Sequence, residues 1–282
     1  MPQGIRFTKM QGLGNDFIVI SSQALPDGVK ELAERLCDRH FGVGADGLVY
    51  ILPSEKGDFR MRILNRDGSE AEQCGNAVRC VAKYYYERIS NAKKELLIET
   101  QAGLQRVWVE ADGQTVRRVC VDMGKPILKG ERIPVKVNES QVVAHPIEVE
   151  GETFHFTAVS MGNPHAVIFV DDAARFPLKT WGLRLESHPL FPNRVNVEIV
   201  TVTSREELQM RVWERGVGET LACGTGACAS VVAAVLNGKT GRRVFVRLKG
   251  GDLEIEWKEN DQRIYMTGVA ENVFEGEWIR SF

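Results

Sequence analysis

The 282-residue sequence lacks several features that by themselves define a class of protein. No run reaches the roughly 18 apolar residues of a membrane-spanning helix, and the first residues, MPQGIRFTKMQGLGNDF, lack the apolar segment of a secretion signal. Lys and Arg total 36 against 38 Asp and Glu, so there is no excess of positive charge for binding a phosphate backbone. We therefore expect a cytoplasmic protein with neither a nucleic-acid nor a membrane partner.

The cysteines show no C-x-x-C pair, the spacing typical of zinc ribbons and thioredoxin-like redox sites. In a reducing compartment they are expected to be thiols. The apolar fraction of 43% is enough for a core without a disulfide or a structural metal, so we expect no metal site. The six residues are Cys37, Cys74, Cys80, Cys120, Cys223 and Cys228.

The chain contains an internal repeat with an offset of 149 residues. RILNRDGSEAEQCGNAVRCVA aligns without a gap with RVWERGVGETLACGTGACASV, and GNDF and GNPH, each followed by an apolar run, fall in nearly the same register. The order Gly-Asn, strand, Cys-Gly therefore occurs twice, which predicts two fused copies of one half. The identical pairs are Arg62 and Arg211, Arg66 and Arg215, Glu70 and Glu219, Cys74 and Cys223, and Gly75 and Gly224.

The pattern of apolar residues and turn dipeptides predicts an α+β fold. Helical periodicity appears at Val29–His40, Gly75–Glu87 and Thr225–Leu236. We predict an N-terminal domain of residues 1–121, to which 269–282 return, and a C-terminal domain of 122–268. The predicted strands are Phe17–Ser21, Phe59–Leu64, Leu96–Thr100, Gln105–Val109, Val116–Asp122, Phe154–Val159, Ala166–Val170, Val195–Val202, Gln209–Glu214, Arg243–Leu248, Leu253–Trp257 and Arg263–Gly268.

Two Cys-Gly steps at predicted helix starts indicate the chemistry. The first turn of a helix has unpaired N–H groups and a partial positive charge, which favour a thiolate and a bound carboxylate. We therefore expect the pKa of Cys74 and Cys223 to be lowered, while Gly75 and Gly224 leave room for a ligand. One sulfur can then remove an α-proton and the other can return a proton to the opposite face. This two-base scheme requires no cofactor.

Other interpretations of these residues are structural. A lone cysteine is most often a packing residue, which is our interpretation of Cys37, Cys80, Cys120 and Cys228. Two opposed cysteines would also suit a thiol switch or a metal-binding protein. In a purely structural protein, the repeated Gly-Asn and Cys-Gly pattern would have no explanation.

The motifs GLGNDF, NRDGSEAEQCGNAVRC, SMGNPHAV and ERGVGETLACGTGAC together resemble the diaminopimelate epimerase family, and the resemblance continues to YMTG near the end. It implies an isomerase that interconverts LL- and meso-diaminopimelate without pyridoxal phosphate or any other cofactor. This epimerase would serve lysine and peptidoglycan precursor biosynthesis, a branch of amino-acid biosynthesis. The implied fold has two pseudo-symmetric halves, each a curved, mostly antiparallel sheet around a central helix, in a chain that forms a homodimer.

The resemblance also implies roles for single residues. Cys74 and Cys223 match the catalytic acid–base pair, while His165 and Glu214 match positions that tune it. Arg215 would bind the distal carboxylate of diaminopimelate and Glu214 its distal ammonium. Gly47 departs from the polar residue, often Gln, of some relatives, which puts one contact in doubt. The implied substrate-binding residues are Asn15, Asn65, Gly75, Asn76, Asn163, Asn196, Glu214, Arg215, Gly224 and Thr225.

Alternatives remain within the same fold class. Proline and hydroxyproline racemases also use two cysteines, but their substrates would have little use for Glu214 and Arg215. An isomerase without catalytic cysteines is disfavoured by Cys74 and Cys223 together. The candidate binding residues also have structural interpretations, as turn formers (Asn15, Asn65, Asn163), a core histidine (His165) or a surface ion pair (Glu214 with Arg215).

Overall fold

The computed structural model describes residues 4–71 and 74–279. Its strands are β1 (Ile5–Gly12), β2 (Asn15–Ser21), β3 (Gly47–Leu52), β4 (Phe59–Asn65), β5 (Glu70–Ala71), β6 (Glu95–Thr100), β7 (Gly103–Asp112), β8 (Thr115–Gly124), β9 (His145–Val149), β10 (Glu152–Ser160), β11 (Pro164–Phe169), β12 (Asn196–Ser204), β13 (Glu207–Glu214), β14 (Gly218–Thr220), β15 (Arg243–Leu248), β16 (Gly251–Trp257), β17 (Ile264–Gly268) and β18 (Glu271–Trp278). Its helices are α1 (Val29–Cys37), α2 (Gly75–Arg88), α3 (Leu178–Glu186) and α4 (Gly224–Leu236), with a short 3-10 helix at Gly130–Arg132.

The chain divides into two compact units. Unit 1 contains the residues up to Val121 together with those from Gly268 onward, and unit 2 contains Asp122–Thr267. That these units are separate domains stays a prediction, and each unit is described by itself.

Unit 1 is a mostly antiparallel sheet. Strand β1 pairs antiparallel with β18 and β2, and the pairs β3–β4, β4–β5, β6–β7 and β7–β8 are also antiparallel. Two pairs are parallel, β2 with β3 and β4 with β6. The residues from Gly268 onward therefore contribute an edge strand, β18, to the sheet of this unit.

Unit 2 repeats this pairing scheme strand for strand. Strand β10 pairs antiparallel with β9 and β11, and β12–β13, β13–β14, β15–β16 and β16–β17 are antiparallel. The two parallel pairs recur as β11 with β12 and β13 with β15. The predicted α+β fold with two pseudo-symmetric, mostly antiparallel halves is confirmed.

An ion pair that occurs in both units explains part of the sequence repeat. In unit 1, Arg62 of β4 pairs with Glu70 of β5. In unit 2, Arg211 of β13 pairs with Glu219 of β14, with 2.8 Å between the guanidinium nitrogen and the carboxylate oxygen. Each pair links the two strands that lead into the helix beginning after a cysteine. Two of the identical pairs in the repeat, Arg62 with Arg211 and Glu70 with Glu219, are therefore explained by this connection between strands rather than by catalysis.

Each unit packs its sheet against one of these helices. Helix α2 packs on β1, β2, β3, β4 and β7, and α4 packs on β10, β11, β12, β13, β15 and β16. Helix α4 has the sequence GTGACASVVAAVL and is buried from Gly226 to Ala234, as expected for a helix that is apolar on every face. No helix in the described parts of the chain is long and apolar enough to cross a membrane.

Several elements were not predicted from the sequence. The strands β1, β3, β5, β9 and β14 and the helix α3 are additional to the prediction, whereas β18 is the terminal strand expected after Gly268. Strand β3, GLVYIL, is buried at every position, so it has no alternation of apolar and polar residues. Helix α3 is short and contains Gly182, whose missing Cβ makes room for the ring of Trp213. Both elements are defined by tertiary packing rather than by local periodicity.

Candidate active site

Cys74 is the N-cap residue of α2, and its side chain is half-buried. Its thiol donates a hydrogen bond to Oδ1 of Asn15, with 3.7 Å between Sγ and the oxygen. The Nδ2 group of Asn76, in the first turn of α2, donates to the same oxygen at 3.3 Å. The structure thus brings Cys74, Gly75, Asn76 and Asn15 together, as the sequence motifs predict.

A charged network holds the amide of Asn15 in one orientation. Its Nδ2 group donates to Oδ2 of Asp46 at 2.7 Å, which leaves Oδ1 to accept from Cys74. Arg39 donates to Asp46 and Asp16, and Lys9 forms an ion pair with Asp16. Burial alone would raise the pKa of Asp16, but Arg39 and Lys9 outweigh it and hold that pKa well below its usual range. Asp16 is therefore ionised, and the network orients Asn15.

Asn76 is oriented by a fully buried arginine. One guanidinium nitrogen of Arg79 donates to Oδ1 of Asn76 at 2.8 Å, and others reach the carbonyl oxygens of Gly75 and Val269. The amide nitrogen of Asn76 is then the group left to face Asn15. Arg79 therefore stabilises the first turn of α2 through its hydrogen bonds to Gly75 and Asn76.

Asn65 lies at the exposed end of β4, where it pairs with Gly47 of β3. Its Nδ2 group donates to the hydroxyl of Ser69 at 3.0 Å. A Cβ at Gly47 would lie 3.0 Å from the carbonyl oxygen of Leu64 and 3.5 Å from the ring of Phe17. The backbone at this position therefore allows little space for the longer polar residue that the resemblance implies there.

Cys223 is the N-cap residue of α4 and is 6% exposed. Its sulfur accepts the backbone N–H of Gly226 at 3.4 Å and lies 3.4 Å from the hydroxyl of Thr225. These are the donors that the start of a helix offers to an anion. Cys223, Gly224 and Thr225 therefore occupy the arrangement that the repeat predicts.

The expected lowering of the pKa of Cys223 is wrong. Burial raises this pKa well above its ordinary value, and the negative charges of Glu214 and Glu198 raise it further. The hydrogen bonds from Thr225 and Gly226 act in the opposite direction and only reduce the shift. The sequence pattern showed the helix start, but not the two carboxyl groups that surround it.

Glu214 lies beside Cys223. Burial raises the pKa of Glu214, while hydrogen bonds from the hydroxyl of Thr220 and the thiol of Cys223 lower it. The thiol proton of Cys223 is thus directed at a carboxyl group. This position, next to the sulfur, suits the tuning role that the resemblance implies for Glu214, and its contact with the distal ammonium stays a prediction.

His165 is completely buried, and both of its ring nitrogens face oxygen atoms. Nδ1 lies 2.7 Å from Oε1 of Glu198, and Nε2 lies 3.1 Å from Oδ1 of Asn163. The Nδ2 group of Asn163 donates to the hydroxyl of Thr225 at 3.3 Å. The structure therefore links His165 to Cys223 through two side chains instead of by direct contact.

Asn196 and Arg215 lie together at the ends of β12 and β13. The side chain of Asn196 donates to the carbonyl oxygen of Pro164 at 2.9 Å and accepts the backbone N–H of Arg215 at 3.0 Å. The Arg215 side chain is exposed, and its guanidinium donates to the carbonyl oxygen of Asn193 at 3.2 Å. Asn196 thus holds the backbone from which the guanidinium projects.

Three residues of the site were missed by the sequence interpretation, namely Asp46, Arg79 and Glu198. Glu198 carried the clearest signal, because it is a carboxylate within the apolar strand sequence NVEIV. Arg79 is placed one helical turn after Asn76, a spacing that brings two side chains together. Asp46 carried no comparable signal, because its partner Asn15 belongs to a distant segment.

A Cβ at Gly226 would lie 2.7 Å from Oε1 of Glu198 and 3.3 Å from the sulfur of Cys223. Alanine normally stabilises a helix interior by about 1 kcal/mol relative to glycine. Here we expect Gly226→Ala to destabilise the protein by about 1–3 kcal/mol, because the buried carboxylate has to move. Chemical denaturation measures the change. Gly241→Ala is the control, since its Cβ would approach only the carbonyl oxygen of Arg205, at 3.7 Å, and equal stability of the two variants would contradict the prediction.

All six cysteines are thiols. Within residues 4–71 and 74–279, no group of three or more His, Cys, Asp or Glu side chains is arranged to hold a metal ion. The chemistry that these side chains offer is proton transfer by sulfur, carboxyl and imidazole groups.

Comparisons with known proteins agree with this chemistry. A family model described as diaminopimelate epimerase matches residues 7–129 and 157–273. The curated diaminopimelate epimerase of Acetivibrio thermocellus is 53% identical over 274 residues, which cover 97% of this chain and 98% of that protein. The sequence resemblance and the prediction of an isomerase are therefore confirmed.

Solved structures with low sequence identity share the fold. A Bacillus anthracis phenazine biosynthesis protein of the PhzF family is 17% identical with a TM-score of 0.70, covering 99% of this chain and 100% of its own. A probable proline racemase from Agrobacterium radiobacter is 16% identical with a TM-score of 0.68, covering 96% and 92%. With its fold, its repeated cysteine helices and its identity to curated relatives, the chain belongs to the diaminopimelate epimerase family of isomerases.

Proposed function

We propose that this enzyme interconverts LL- and meso-diaminopimelate, with Cys74 and Cys223 as the two acid–base groups. The observation that carries the proposal is the equivalent position of the two cysteines. Each is the N-cap of the buried helix of its unit, and the two occupy matching positions of the repeat. Inversion at carbon is naturally served by two such groups, because a single base returns the proton to the face from which it came.

The reacting carboxylate would be held by backbone N–H groups at the two helix starts. In unit 1 these belong to Gly75 and Asn76, and in unit 2 to Gly224 and Thr225. As the α-proton leaves, negative charge develops on the carboxylate oxygens, where such donors stabilise the transition state. The proton transfers and the stabilisation of the carbanion then need no pyridoxal phosphate or metal.

The raised pKa of Cys223 suits a resting thiol that gives a proton. With Cys223 as the thiol, the sulfur of Cys74 removes the α-proton from one stereoisomer while Cys223 protonates the opposite face. In the reverse direction the roles exchange: Cys223, left as a thiolate after it has given up its proton, removes the α-proton, and Cys74, now a thiol, protonates the opposite face. The hand of the bound stereoisomer therefore decides which sulfur is the base.

The distal end of diaminopimelate carries a second carboxylate and ammonium. We propose that the exposed guanidinium of Arg215 binds the distal carboxylate as a two-pronged donor. Asn65, Asn163 and Asn196 remain proposed substrate-binding residues, on the basis of the family resemblance. Proline has no distal groups, so an Arg215 contact supports diaminopimelate over proline as the substrate.

The proposal includes a cytoplasmic homodimer that acts in lysine and peptidoglycan precursor biosynthesis. Six thiols suit a reducing compartment, and the balanced charge supports an enzyme without a nucleic-acid or membrane partner. The dimer and the pathway rest on the family resemblance.

Solvent exchange tests the function directly. The reduced enzyme is incubated in D2O with LL-diaminopimelate, meso-diaminopimelate or L-proline, and α-proton exchange and configuration are followed. We expect exchange with inversion for both diaminopimelate isomers and none for proline. Turnover of proline alone would replace the proposed substrate, and a loss of activity on adding a chelator would contradict the metal-free scheme.

A further inference from the structure

Glu198 is a fully buried carboxyl group in the middle of strand β12. Its Oε1 atom faces Nδ1 of His165 at 2.7 Å, and its Oε2 atom has no hydrogen-bond partner among the residues that the structure describes. A buried carboxyl group with one unsatisfied oxygen is unfavourable for stability unless a strong partner compensates for it. Its position therefore calls for a reason other than packing.

Unit 1 shows that the fold itself does not need this pair. In unit 1, Phe17 of β2 pairs with Gly47 of β3, and in unit 2 His165 of β11 pairs in the same way with Asn196 of β12. Phe17 is therefore the counterpart of His165. At an offset of 149 residues, Val49 of β3 is the counterpart of Glu198. Phe17 and Val49 are buried and apolar. The same positions are therefore filled by hydrocarbon in one unit and by an imidazole–carboxyl pair in the other.

The hydrogen bonds of His165 require two protons. One lies on Nε2, and the other lies between Nδ1 and the carboxyl group of Glu198. The amide oxygen of Asn163 only accepts hydrogen bonds, so Nε2, 3.1 Å away, carries a proton. A second proton lies between Nδ1 and the carboxyl group of Glu198, on one atom or the other. A carboxyl group at Nδ1 can share this second proton and offset the charge of a ring protonated on both nitrogens, so Glu198 allows Nε2 to donate to Asn163.

The next two hydrogen bonds, between Asn163 and Thr225 and between Thr225 and Cys223, are both directed towards the sulfur of Cys223. Because the oxygen of Asn163 faces the ring, its Nδ2 group faces the hydroxyl oxygen of Thr225. That oxygen already accepts one hydrogen bond, so the single hydrogen of the Thr225 hydroxyl is available to Cys223, 3.4 Å away. If Nε2 lost its proton, the amide of Asn163 would favour the reversed orientation and the hydrogen of Thr225 would turn away from the sulfur.

We propose that Glu198 is a positioning residue for Cys223, which keeps a proton on His165 and so directs the chain of hydrogen bonds through Asn163 and Thr225 towards the sulfur. This effect of Glu198 passes through His165, Asn163 and Thr225 and is separate from the direct effect of its charge, which raises the pKa of Cys223. The ionisable groups whose charges act on the sulfur are Glu214 on β13 and Glu198 on β12, and His165 on β11 acts in turn on Glu214. The kinetic part of this proposal rests on the proposed function, whereas the protonation of His165 does not.

Glu198→Gln keeps the shape of the side chain but cannot balance a charged ring, and its amide can pair with Nδ1 as donor or acceptor, so the ring state with a proton on Nε2 is no longer favoured. We expect kcat with diaminopimelate to fall about tenfold, since the hydrogen bond to the sulfur is weakened. KM is expected to stay within about twofold, because Glu198 is buried away from solvent. Unchanged kcat, or a change confined to KM, would overturn the proposal. The control is Glu254→Gln, which removes a carboxylate paired with Arg243 on neighbouring strands and is expected to retain wild-type kinetics.

A double-mutant cycle tests whether the effect passes through Thr225. Thr225→Val removes the hydroxyl and keeps the branched shape. If Glu198 acts through this hydroxyl, adding Glu198→Gln to Thr225→Val lowers kcat by less than about twofold further. Additive losses would show that Glu198 works by another route and would overturn the proposal.

Nuclear magnetic resonance of the intact enzyme tests the first link without turnover. With 15N-labelled histidine, the wild-type protein is expected to show a proton on Nε2 of His165 at neutral pH. An unprotonated Nε2 would overturn the proposal even in an active enzyme. A wild-type enzyme with this proton but without diaminopimelate turnover would instead contradict the proposed function alone.

The variant Glu198→Val with His165→Phe copies the apolar pair of unit 1 into unit 2. Replacing a buried ionic pair by hydrocarbon is often neutral or stabilising. We expect a melting temperature at or above that of the wild type, together with the lower kcat. A stable variant with wild-type kcat would overturn the proposal. A melting temperature well below that of the wild type would show that the imidazole–carboxyl pair is structural, and this result would also overturn the proposal.

Discussion

Epimerisation is expected to fall sharply in both Cys74→Ala and Cys223→Ala, with a loss in kcat of roughly 10²–10⁴-fold. A positioned acid or base contributes roughly 10²–10⁴-fold, and neither unit offers a second thiol at the start of its helix among the described residues. Chiral analysis of the products measures the loss.

Each variant should still exchange the α-proton of one stereoisomer in D2O, with its configuration retained. The remaining sulfur removes the proton, exchanges it with solvent and returns it to the same face. The two variants are expected to act on opposite isomers, one on LL- and the other on meso-diaminopimelate. Exchange of both isomers by one variant would contradict the division of roles between the sulfurs.

Cys80→Ala and Cys228→Ala are the matched controls. Both residues lie further along the same two helices and are fully buried. We expect them to lower stability slightly and to leave kcat unchanged. Equal activity losses in all four variants would indicate that the cysteines matter for folding rather than for proton transfer.

The second large effect is expected at Arg215. Arg215→Leu should lower kcat/KM for diaminopimelate by roughly 10- to 150-fold, because hydrogen bonds to a charged group are worth about 1.5–3 kcal/mol. The loss should appear mainly in KM, since the distal carboxylate is bound equally in the ground state and the transition state. Steady-state kinetics of both diaminopimelate isomers measure it.

The variant Arg215→Lys tests whether Arg215 must donate two parallel hydrogen bonds to the distal carboxylate or must only supply a positive charge. Lysine keeps the positive charge but cannot donate two parallel hydrogen bonds to a carboxylate, so its kcat/KM should lie between those of the wild type and Arg215→Leu. The control is Arg194→Leu, because Arg194 is an exposed arginine of the same unit paired with Glu186. If Arg215→Leu has the kinetics of this control, Arg215 does not bind the substrate.

The two charged networks show what sequence patterns miss. Asp46 is 31 residues from Asn15, and Glu198 is 33 residues from His165. The partner residues become neighbours through the parallel strands β2–β3 and β11–β12 and the residues flanking them, and no short sequence motif records that register. A polar residue in an apolar strand was the signal available for Glu198, and for Asp46 there was none.

The pKa of Cys223 shows a second limit. A cysteine before a helix is expected to be acidic, because the helix start favours an anion. Burial and two nearby carboxyl groups reverse that shift. Local sequence determines the helix start, but the solvent exposure of the sulfur and the charges around it depend on β12 and β13, which lie before it in the chain.

The sequence by itself determined the repeat, the α+β class, the two cysteines at the helix starts and the family. These features depend on residues close together in the chain, on periodicity and on identical motifs 149 residues apart. The tertiary structure alone decided that Cys223 is buried among carboxyl groups, that Glu214 lies beside the sulfur, and that His165 reaches it through Asn163 and Thr225. The physical reason is that desolvation and hydrogen-bond partners are set by strand register and packing, which bring together residues far apart in the sequence.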